Sequence, residues 1–154
     1  MQASALGHFM RDSGPWTYAI VNLAHVLGIS TLFGSILVLD LRLVGVGRRV
    51  PLAAVSSAVV PVAATGFVIA ATTGVGLLAT KATEYVGNPF LLVKFPAIAL
   101  GLINAVAVRF TGAWRAHHVR DLTAGEERRL AVLGGVSLLC WLTAITAGRM
   151  IAYW

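Results

Sequence analysis

Residues 51–80 read PLAAVSSAVVPVAATGFVIAATTGVGLLAT and contain no charged side chain. An apolar helix of about 20 residues crosses the ~30 Å hydrocarbon core of a bilayer, because each residue adds about 1.5 Å. The stretch is therefore predicted to be a transmembrane helix. It begins after Pro51, a residue that the first turn of a helix tolerates, and it ends before Lys81.

Three further segments have the same apolar character and a sufficient length, and they cover residues 16–39, 89–109 and 125–148. Asn88-Pro89 and the capping-box pattern Thr123-Ala-Gly-Glu126 mark the starts of the last two. The predicted fold class is therefore all-α, a four-transmembrane-helix bundle.

Composition indicates a single integral-membrane domain over residues 1–154, with a short interfacial segment at 1–14. Hydrophobic residues make up 58% of the chain and charged ones 12%, whereas a soluble domain carries about a quarter charged residues. The net charge of +6 does not indicate nucleic-acid binding, because no basic stripe with interleaved aromatics accompanies it. No nucleophile–base pair, phosphate loop or cysteine cluster occurs, so hydrolytic chemistry is not indicated and enzymatic activity stays open.

Basic residues are distributed unequally on the two sides of the predicted spans. The loops after the first and third spans, with their flanks, hold Arg42, Arg48, Arg49, Arg109, Arg115, Arg120, Arg128 and Arg129. The opposite side holds only Arg11, Lys81 and Arg149. Because loops rich in Lys and Arg stay in the cytoplasm, we expect a multi-pass protein of the bacterial inner membrane with both termini in the periplasm.

One histidine and one lysine lie inside the predicted spans, His25 in the first and Lys94 in the third. At 1.5 Å per residue they lie roughly 13 Å and roughly 8 Å below the periplasmic boundary. Ionisable groups in hydrocarbon are costly and mark functional sites. No carboxylate is predicted to lie deep, since Asp40 falls at the cytoplasmic edge beside Arg42 and is expected to pair with it.

Three roles are open for His25. As a structural residue it can bond a hydroxyl or carbonyl of a neighbouring helix. It can ligate haem iron through one ring nitrogen. It can also ligate copper, for which the partners on the same side are His8, Met10 and Met150.

Lys94 and Arg149 place positive charge on the periplasmic side. Lys94 can extend its long side chain to the interface, or it can bind an anion such as a haem propionate. Arg149, at the outer end of the fourth span, can make a bidentate contact with a second such group. Two cations and one imidazole favour an anionic porphyrin over a cation path, which more often has buried Asp or Glu.

Two other patterns have simpler interpretations. His117 and His118 lie in a basic loop that is expected to be solvated and attracted to anionic lipid. Small residues recur at helix-contact spacing in the first two spans, at Gly28, Thr31, Ser35, Gly66, Ala70, Thr73 and Gly74. Such residues let helices approach closely, within one chain or in a homo-oligomer.

Three stretches together resemble a family of small bacterial four-helix membrane proteins of unassigned function: Ala24-His25-Val-Leu-Gly28 through Gly34 to Asp40-Leu-Arg42-Leu, Asn88-Pro-Phe-Leu-Leu-Val-Lys94, and Gly148-Arg149-Met-Ile-Ala-Tyr153. That family is similar to the membrane domain of copper-resistance protein D, and distantly to the small bacterial membrane protoporphyrinogen oxidase. The oxidase resemblance implies b-type haem, with His25 and Lys94 at matching positions. This chain departs from it at residues 101–104, where the oxidases carry a further histidine. The copper branch implies uptake across the inner membrane.

The sequence thus predicts a cytochrome b-like protein that binds haem b and takes part in electron transfer or haem-linked redox chemistry. His25 is the predicted axial ligand, and Lys94 and Arg149 the predicted propionate contacts. The second axial position is open to His8, Met150, a neighbouring subunit or no ligand. The alternatives are a copper transport component and a cofactor-free structural or accessory subunit.

Overall fold

A computed structural model describes residues 15–80 and 86–153, and every regular element in these ranges is a helix. The long helices are α1 (Pro15–Val44), α2 (Leu52–Thr80), α3 (Pro89–Phe110) and α5 (Ala124–Met150). A short helix, α4 (Gly112–Ala116), precedes α5, and a 3₁₀ turn (Ile151–Tyr153) follows it. Helix accounts for 86% of the structure, which confirms the all-α class.

The long helices have the length and composition of membrane spans. Their most apolar windows have mean hydropathies of 1.8, 2.0, 2.1 and 2.0 in chain order. Many large apolar side chains are exposed along them, including Leu27, Leu92 and Ile103, as expected for helices surrounded by lipid tails. The chain is thus a candidate multi-pass membrane protein with four spans in its described residues.

Local sequence signals set the starts of α3 and α5, as predicted. The Asn88 side chain accepts a hydrogen bond from the Phe90 amide, and Pro89 occupies the first turn. At α5 the Thr123 hydroxyl accepts from the Glu126 amide while the Glu126 carboxylate accepts from the Thr123 amide. Both caps satisfy amides that the first helical turn leaves without intrahelical partners.

The first span extends further than the sequence predicted. Instead of ending at Leu39, α1 continues to Val44 and includes Asp40 and Arg42. The chain then turns at Gly45 and Gly47, whose φ angles are +115° and +65°. Glycine adopts such angles without the steric cost that a side chain would add, so the helix ends where the glycines begin.

Contacts divide the chain into two units. Among the described residues, the first comprises 15–35, 61–80 and 86–87, and the second comprises 36–60 and 88–153. In the first unit α1 and α2 approach closely, because a Cβ built on Gly66 would lie 2.5 Å from the Leu32 backbone nitrogen. The predicted role of small residues in helix contact is therefore confirmed at Gly66.

The second unit has a small apolar core where α1, α2, α3, α4 and α5 contribute one residue each: Leu43, Leu52, Val108, Ala113 and Leu130. Away from this core α3 packs on α5, with the Trp141 ring against Gly101. The Asn104 side chain of α3 donates to the Leu133 carbonyl at 3.0 Å.

Candidate functional site

His25 lies on α1 and is hydrogen-bonded to α2. Its Nδ1 is 3.0 Å from Thr73 Oγ1. The same hydroxyl donates to the Ile69 carbonyl oxygen at 2.5 Å, and a hydroxyl has only one hydrogen to donate. Thr73 therefore accepts from the Nδ1–H of His25. In this tautomer the ring's lone pair is on Nε2, the nitrogen that can ligate a metal.

Gly74 makes room for the His25 ring. A Cβ built on Gly74 would lie 2.9 Å from Cε1 of the imidazole, which is closer than carbon atoms pack. Any larger residue at this position would displace the ring from Thr73. His25 itself is half-buried, so α2 holds the imidazole by one hydrogen bond and one close packing contact while part of it stays exposed within this unit.

Lys94 crosses from α3 onto α5. Its Nζ lies 3.3 Å from the position that a Cβ on Gly148 would take, and its Cε and Cδ are at 3.4 and 3.6 Å. The side chain is half-buried, and no described residue forms a hydrogen bond or ion pair with it. The absence of a side chain at Gly148 thus lets the ammonium group of Lys94 lie against the fourth span.

Arg149 ends α5 and contacts Tyr153 in the following 3₁₀ turn. Its Nη2 donates to the tyrosine hydroxyl at 2.7 Å, and the guanidinium carbon lies 5.0 Å from the ring centroid. The neighbouring Met150 is 39% exposed. His8 and Met10, the other predicted copper ligands, lie outside the described residues.

The predicted site residues are distributed over both units. His25 belongs to the first unit, whereas Lys94, Arg149 and Met150 belong to the second. Within residues 15–80 and 86–153 no group of three or more His, Cys, Asp or Glu side chains could hold a metal ion. The described residues therefore offer a single-histidine candidate rather than a metal centre of several such ligands.

Sequence reasoning missed a second histidine site. His117, expected in a solvated loop, is only 8% exposed. Its Nδ1 bonds the Trp114 carbonyl, and its Nε2 lies 2.8 Å from Ser56 Oγ on α2. Burial lowers the pKa of His117 below 6.5, and the charge of His118 adds to this, while the bond to Trp114 opposes it. The Nδ1–H of the neutral ring donates to Trp114, so Nε2 of His117 and the Ala53 carbonyl oxygen, 3.2 Å from Ser56 Oγ, are alternative acceptors for the single hydrogen of Ser56.

Local sequence features indicate part of this second site. Thr111 caps α4 by accepting from the Trp114 amide, and the three-residue spacing places His117 beside Trp114, with ring centroids 4.6 Å apart. The partner Ser56 lies 61 residues away in the chain, and no local pattern connects them. Only the packing of α4 against the start of α2 reveals that His117 is buried.

Asp40 also differs from the expectation. Its side chain is 4% exposed, while Arg42 donates from Nε to the Val50 carbonyl at 2.7 Å. Ser137 on α5 is the hydrogen-bonding neighbour of Asp40. The Oδ2 atom of Asp40 has no hydrogen-bond partner among the described residues. The predicted pair with Arg42 is wrong because α1 continues through this region, and its helical period turns Asp40 and Leu43 toward α5.

Comparisons with protein-family models, with curated proteins and with solved structures give no match to this chain. The resemblance to the copper-resistance and oxidase membrane proteins therefore stays a prediction from the sequence motifs.

Proposed function

We propose that this chain is a b-type haem-binding integral membrane protein, with His25 as an axial ligand through Nε2. Haem b, when bound, supplies one-electron redox chemistry, so the protein would serve electron transfer or a haem-linked redox reaction. Its environment is the bilayer of the bacterial inner membrane, with both termini periplasmic. Homo-oligomerisation through exposed small residues is part of the same proposal.

The observation that supports the proposal most directly is the hydrogen bond between His25 and Thr73. A metal-ligating histidine usually donates its other ring N–H to a fixed acceptor, which sets the tautomer and the orientation of the ring. Thr73 has this role here, because its own hydrogen is donated to Ile69. The half-buried ring against Gly74 is compatible with an axial ligand that is held from one side.

The propionate contacts rest on charge. Lys94 lies half-buried with no described anionic partner, and an ammonium group in that position suits a carboxylate. Arg149 uses one nitrogen on Tyr153, and a guanidinium group has five N–H donors, so further donors remain for a second carboxylate. That both side chains contact one haem stays a prediction.

An absorption spectrum of the protein purified in detergent tests the proposal. We expect a Soret band with the wild type, and loss of that band with His25→Ala. His118→Ala is the matched control, because this exposed imidazole lies outside the proposed site and its removal is expected to leave the spectrum unchanged. The proposal would be contradicted if the wild-type protein is colourless as purified and still lacks the Soret band after reconstitution with haem b.

A cofactor-free structural role is the second candidate, and the same contacts favour it. One hydrogen bond to Thr73 and close packing on Gly74 are sufficient to hold α1 against α2. Under this alternative His25→Ala lowers the stability of the protein, and neither the wild type nor any variant shows a Soret band. Elemental analysis of the same samples tests the copper alternative, which requires bound copper that His25→Ala removes.

A further inference from the structure

We propose that a second site, independent of haem, binds the phosphate group of an anionic ligand. The site is the cavity between the loop that joins α1 to α2 and the loop that joins α4 to α5. It lies within the second unit and contains none of the residues assigned above to haem. We call it the arginine cavity.

The arginine cavity has a volume of about 330 Å³, and its walls are largely polar. The α1–α2 side contributes Arg42, Arg48 and Arg49, and the α4–α5 side contributes Arg120 together with the buried His117. A phosphate group fits within this volume and leaves space for the atoms to which it is esterified. Guanidinium groups recognise such groups with paired, charge-assisted hydrogen bonds.

The charges that line the cavity favour an anion. Its four arginines face two lining carboxylates, Asp121 and Glu127, and Arg120 is also paired with Glu126, which leaves a formal surplus of one positive charge. Arg120 is already neutralised, since both of its terminal nitrogens bond the Glu126 carboxylate at 2.7 and 2.9 Å. The remaining capacity for an anion therefore lies with the three arginines of the α1–α2 loop.

Of these three, Arg48 and Arg49 are available to a ligand. Arg48 is 4.0 Å from Glu127, with side chains 64% and 47% exposed, and such a pair is weak because water screens it. Arg49 has no hydrogen bond or ion pair with any described residue. An incoming phosphate can therefore engage both guanidinium groups without breaking a strong interaction.

The loop backbone contacts two of the arginines, Arg42 and Arg48. Arg42 donates to the Val50 carbonyl at 2.7 Å and ties the end of α1 to the start of α2. The Arg48 guanidinium packs over Gly45, where a Cβ would lie 3.0 Å from Nε. The positive φ of Gly45 favours glycine at this position. Preorganised donors bind more tightly because less conformational entropy is lost.

The cavity lies at the level where two spans end, since α1 stops at Val44 and α2 starts at Leu52. A phosphate at this level is available from an anionic lipid headgroup, and it is also available from a free phosphate compound. Basic pockets at the ends of membrane helices bind anionic headgroups. The two sources share one chemistry at the arginines and differ in whether acyl chains accompany it.

Thermal unfolding of the full-length protein in nanodiscs tests the proposal with two probes. One arm compares phosphatidylcholine alone with phosphatidylcholine mixed with phosphatidylglycerol. The other titrates sodium phosphate, against sodium chloride at equal ionic strength, in phosphatidylcholine alone. We expect at least one probe to raise the unfolding temperature. A rise with phosphatidylglycerol only identifies a lipid headgroup, and a rise with phosphate identifies a soluble ligand.

Two variants with the same charge change locate the effect. Arg49→Gln is expected to weaken binding about tenfold or more, the loss of one hydrogen bond to a charged group. Arg129→Gln, an exposed arginine outside the cavity, is expected to bind like the wild type. Glu127→Gln removes a lining carboxylate and is expected to bind more tightly. This gain does not depend on any loss of folding.

The proposal is overturned if neither probe raises the unfolding temperature of the wild type. It is also overturned if Arg49→Gln and Arg129→Gln lose the shift equally, because the effect would then come from general surface charge. If Arg49→Gln lowers stability without ligand, Arg49→Lys replaces it. That variant keeps the charge but loses the planar fork, and weaker binding is still expected.

Discussion

The two histidine–hydroxyl pairs of this protein contain similar groups in opposite arrangements. In the first unit Thr73 accepts from Nδ1 of His25, because its own hydrogen is donated to a backbone carbonyl. In the second unit the hydroxyl of Ser56 bonds Nε2 of His117, because Nδ1 of that ring bonds the Trp114 carbonyl. In the first pair the hydroxyl is bonded to Nδ1 of the ring, whereas in the second it is bonded to Nε2 and Nδ1 bonds a backbone carbonyl.

The difference shows why a histidine beside a hydroxyl does not by itself indicate a ligand. What matters is which acceptor takes the hydrogen of the hydroxyl and which ring nitrogen is bonded to the hydroxyl. His117, with both nitrogens bonded and only 8% exposure, is a structural residue that fixes α4 against α2. His25, half-buried and bonded to Thr73 through Nδ1, is the residue that we propose as a haem ligand. The following experiments test this comparison.

The largest expected effect is the loss of stability in His117→Ala, by about 3 kcal/mol. The substitution removes a buried ring and two hydrogen bonds, and both losses destabilise. Unfolding of the purified protein by denaturant in detergent measures it. His118→Ala is the control, with an expected change within about 0.5 kcal/mol, as for other exposed positions. Equal effects from the two variants would show that His117 is not buried in the protein.

Gly74→Ala is expected to destabilise the first unit by about 2 kcal/mol, because the added methyl group overlaps the His25 ring. The same unfolding measurement applies. If the protein binds haem, the spectrum of this variant should also shift, since the ring is displaced from Thr73. The control is Gly34→Ala in the same unit, where an added Cβ has no atom within 4 Å. A Gly74→Ala variant with the stability of the wild type would contradict the packing of His25 on α2.

Removing each hydroxyl compares the two pairs directly. Thr73→Val and Ser56→Ala are each expected to lower stability by about 1 kcal/mol, the usual value of one such hydrogen bond. If the protein binds haem as proposed, only Thr73→Val is expected to weaken that binding, by about tenfold to 100-fold, because the partner of the ligating histidine is lost. Retained haem is measured by the Soret absorbance. If Ser56→Ala weakens haem binding more than Thr73→Val does, the assignment of the two roles is reversed.

The smallest expected effect is a pH dependence that belongs to the second unit. Burial lowers the pKa of His117 in the folded protein below its ordinary value of 6.5. The unfolded chain then binds more protons than the folded chain as pH falls below 6.5, so the stability contributed by a neutral His117 is present above pH 6.5 and is lost as pH decreases through the folded pKa.

Unfolding measured from pH 7.5 downward (about one pH unit above the ordinary histidine pKa) checks this prediction. The difference between wild type and His117→Ala should narrow as pH falls, while the difference between wild type and His118→Ala should remain small throughout. If the difference in stability between wild type and His117→Ala stays constant with pH, His117 has the same pKa in the folded and unfolded chain, which contradicts the prediction.

Part of the site was predictable because it depends on short segments. The caps at Asn88 and Thr123 involve partners two or three residues away, so the residue pattern was sufficient to locate them. His25 and Lys94 stood out because an ionisable group in an apolar span is unusual. Pairing His25 with Thr73 was not predictable, since the two residues are 48 positions apart and several hydroxyls of α2 were equally plausible partners.

The errors at Asp40 and His117 have a common cause. Both residues lie near the ends of spans, where sequence alone gives charge and polarity but not burial. A one-turn extension of α1 placed Asp40 inside the helix and turned it toward α5. The short helix α4 brought His117 onto Ser56. In each case a neighbouring element excluded water from a residue whose sequence context was that of an exposed group.

The sequence by itself determined that four long apolar helices form, because span length and hydropathy are properties of continuous segments. It also determined where two of those helices begin and which residues within them are ionisable. Only the tertiary structure decided that His25 bonds Thr73 and His117 bonds Ser56. It also decided that Gly74 and Gly148 provide space for His25 and Lys94, and that the loop arginines line one cavity. These features depend on atoms from distant parts of the chain meeting at hydrogen-bonding or van der Waals distance, and no local pattern encodes that meeting.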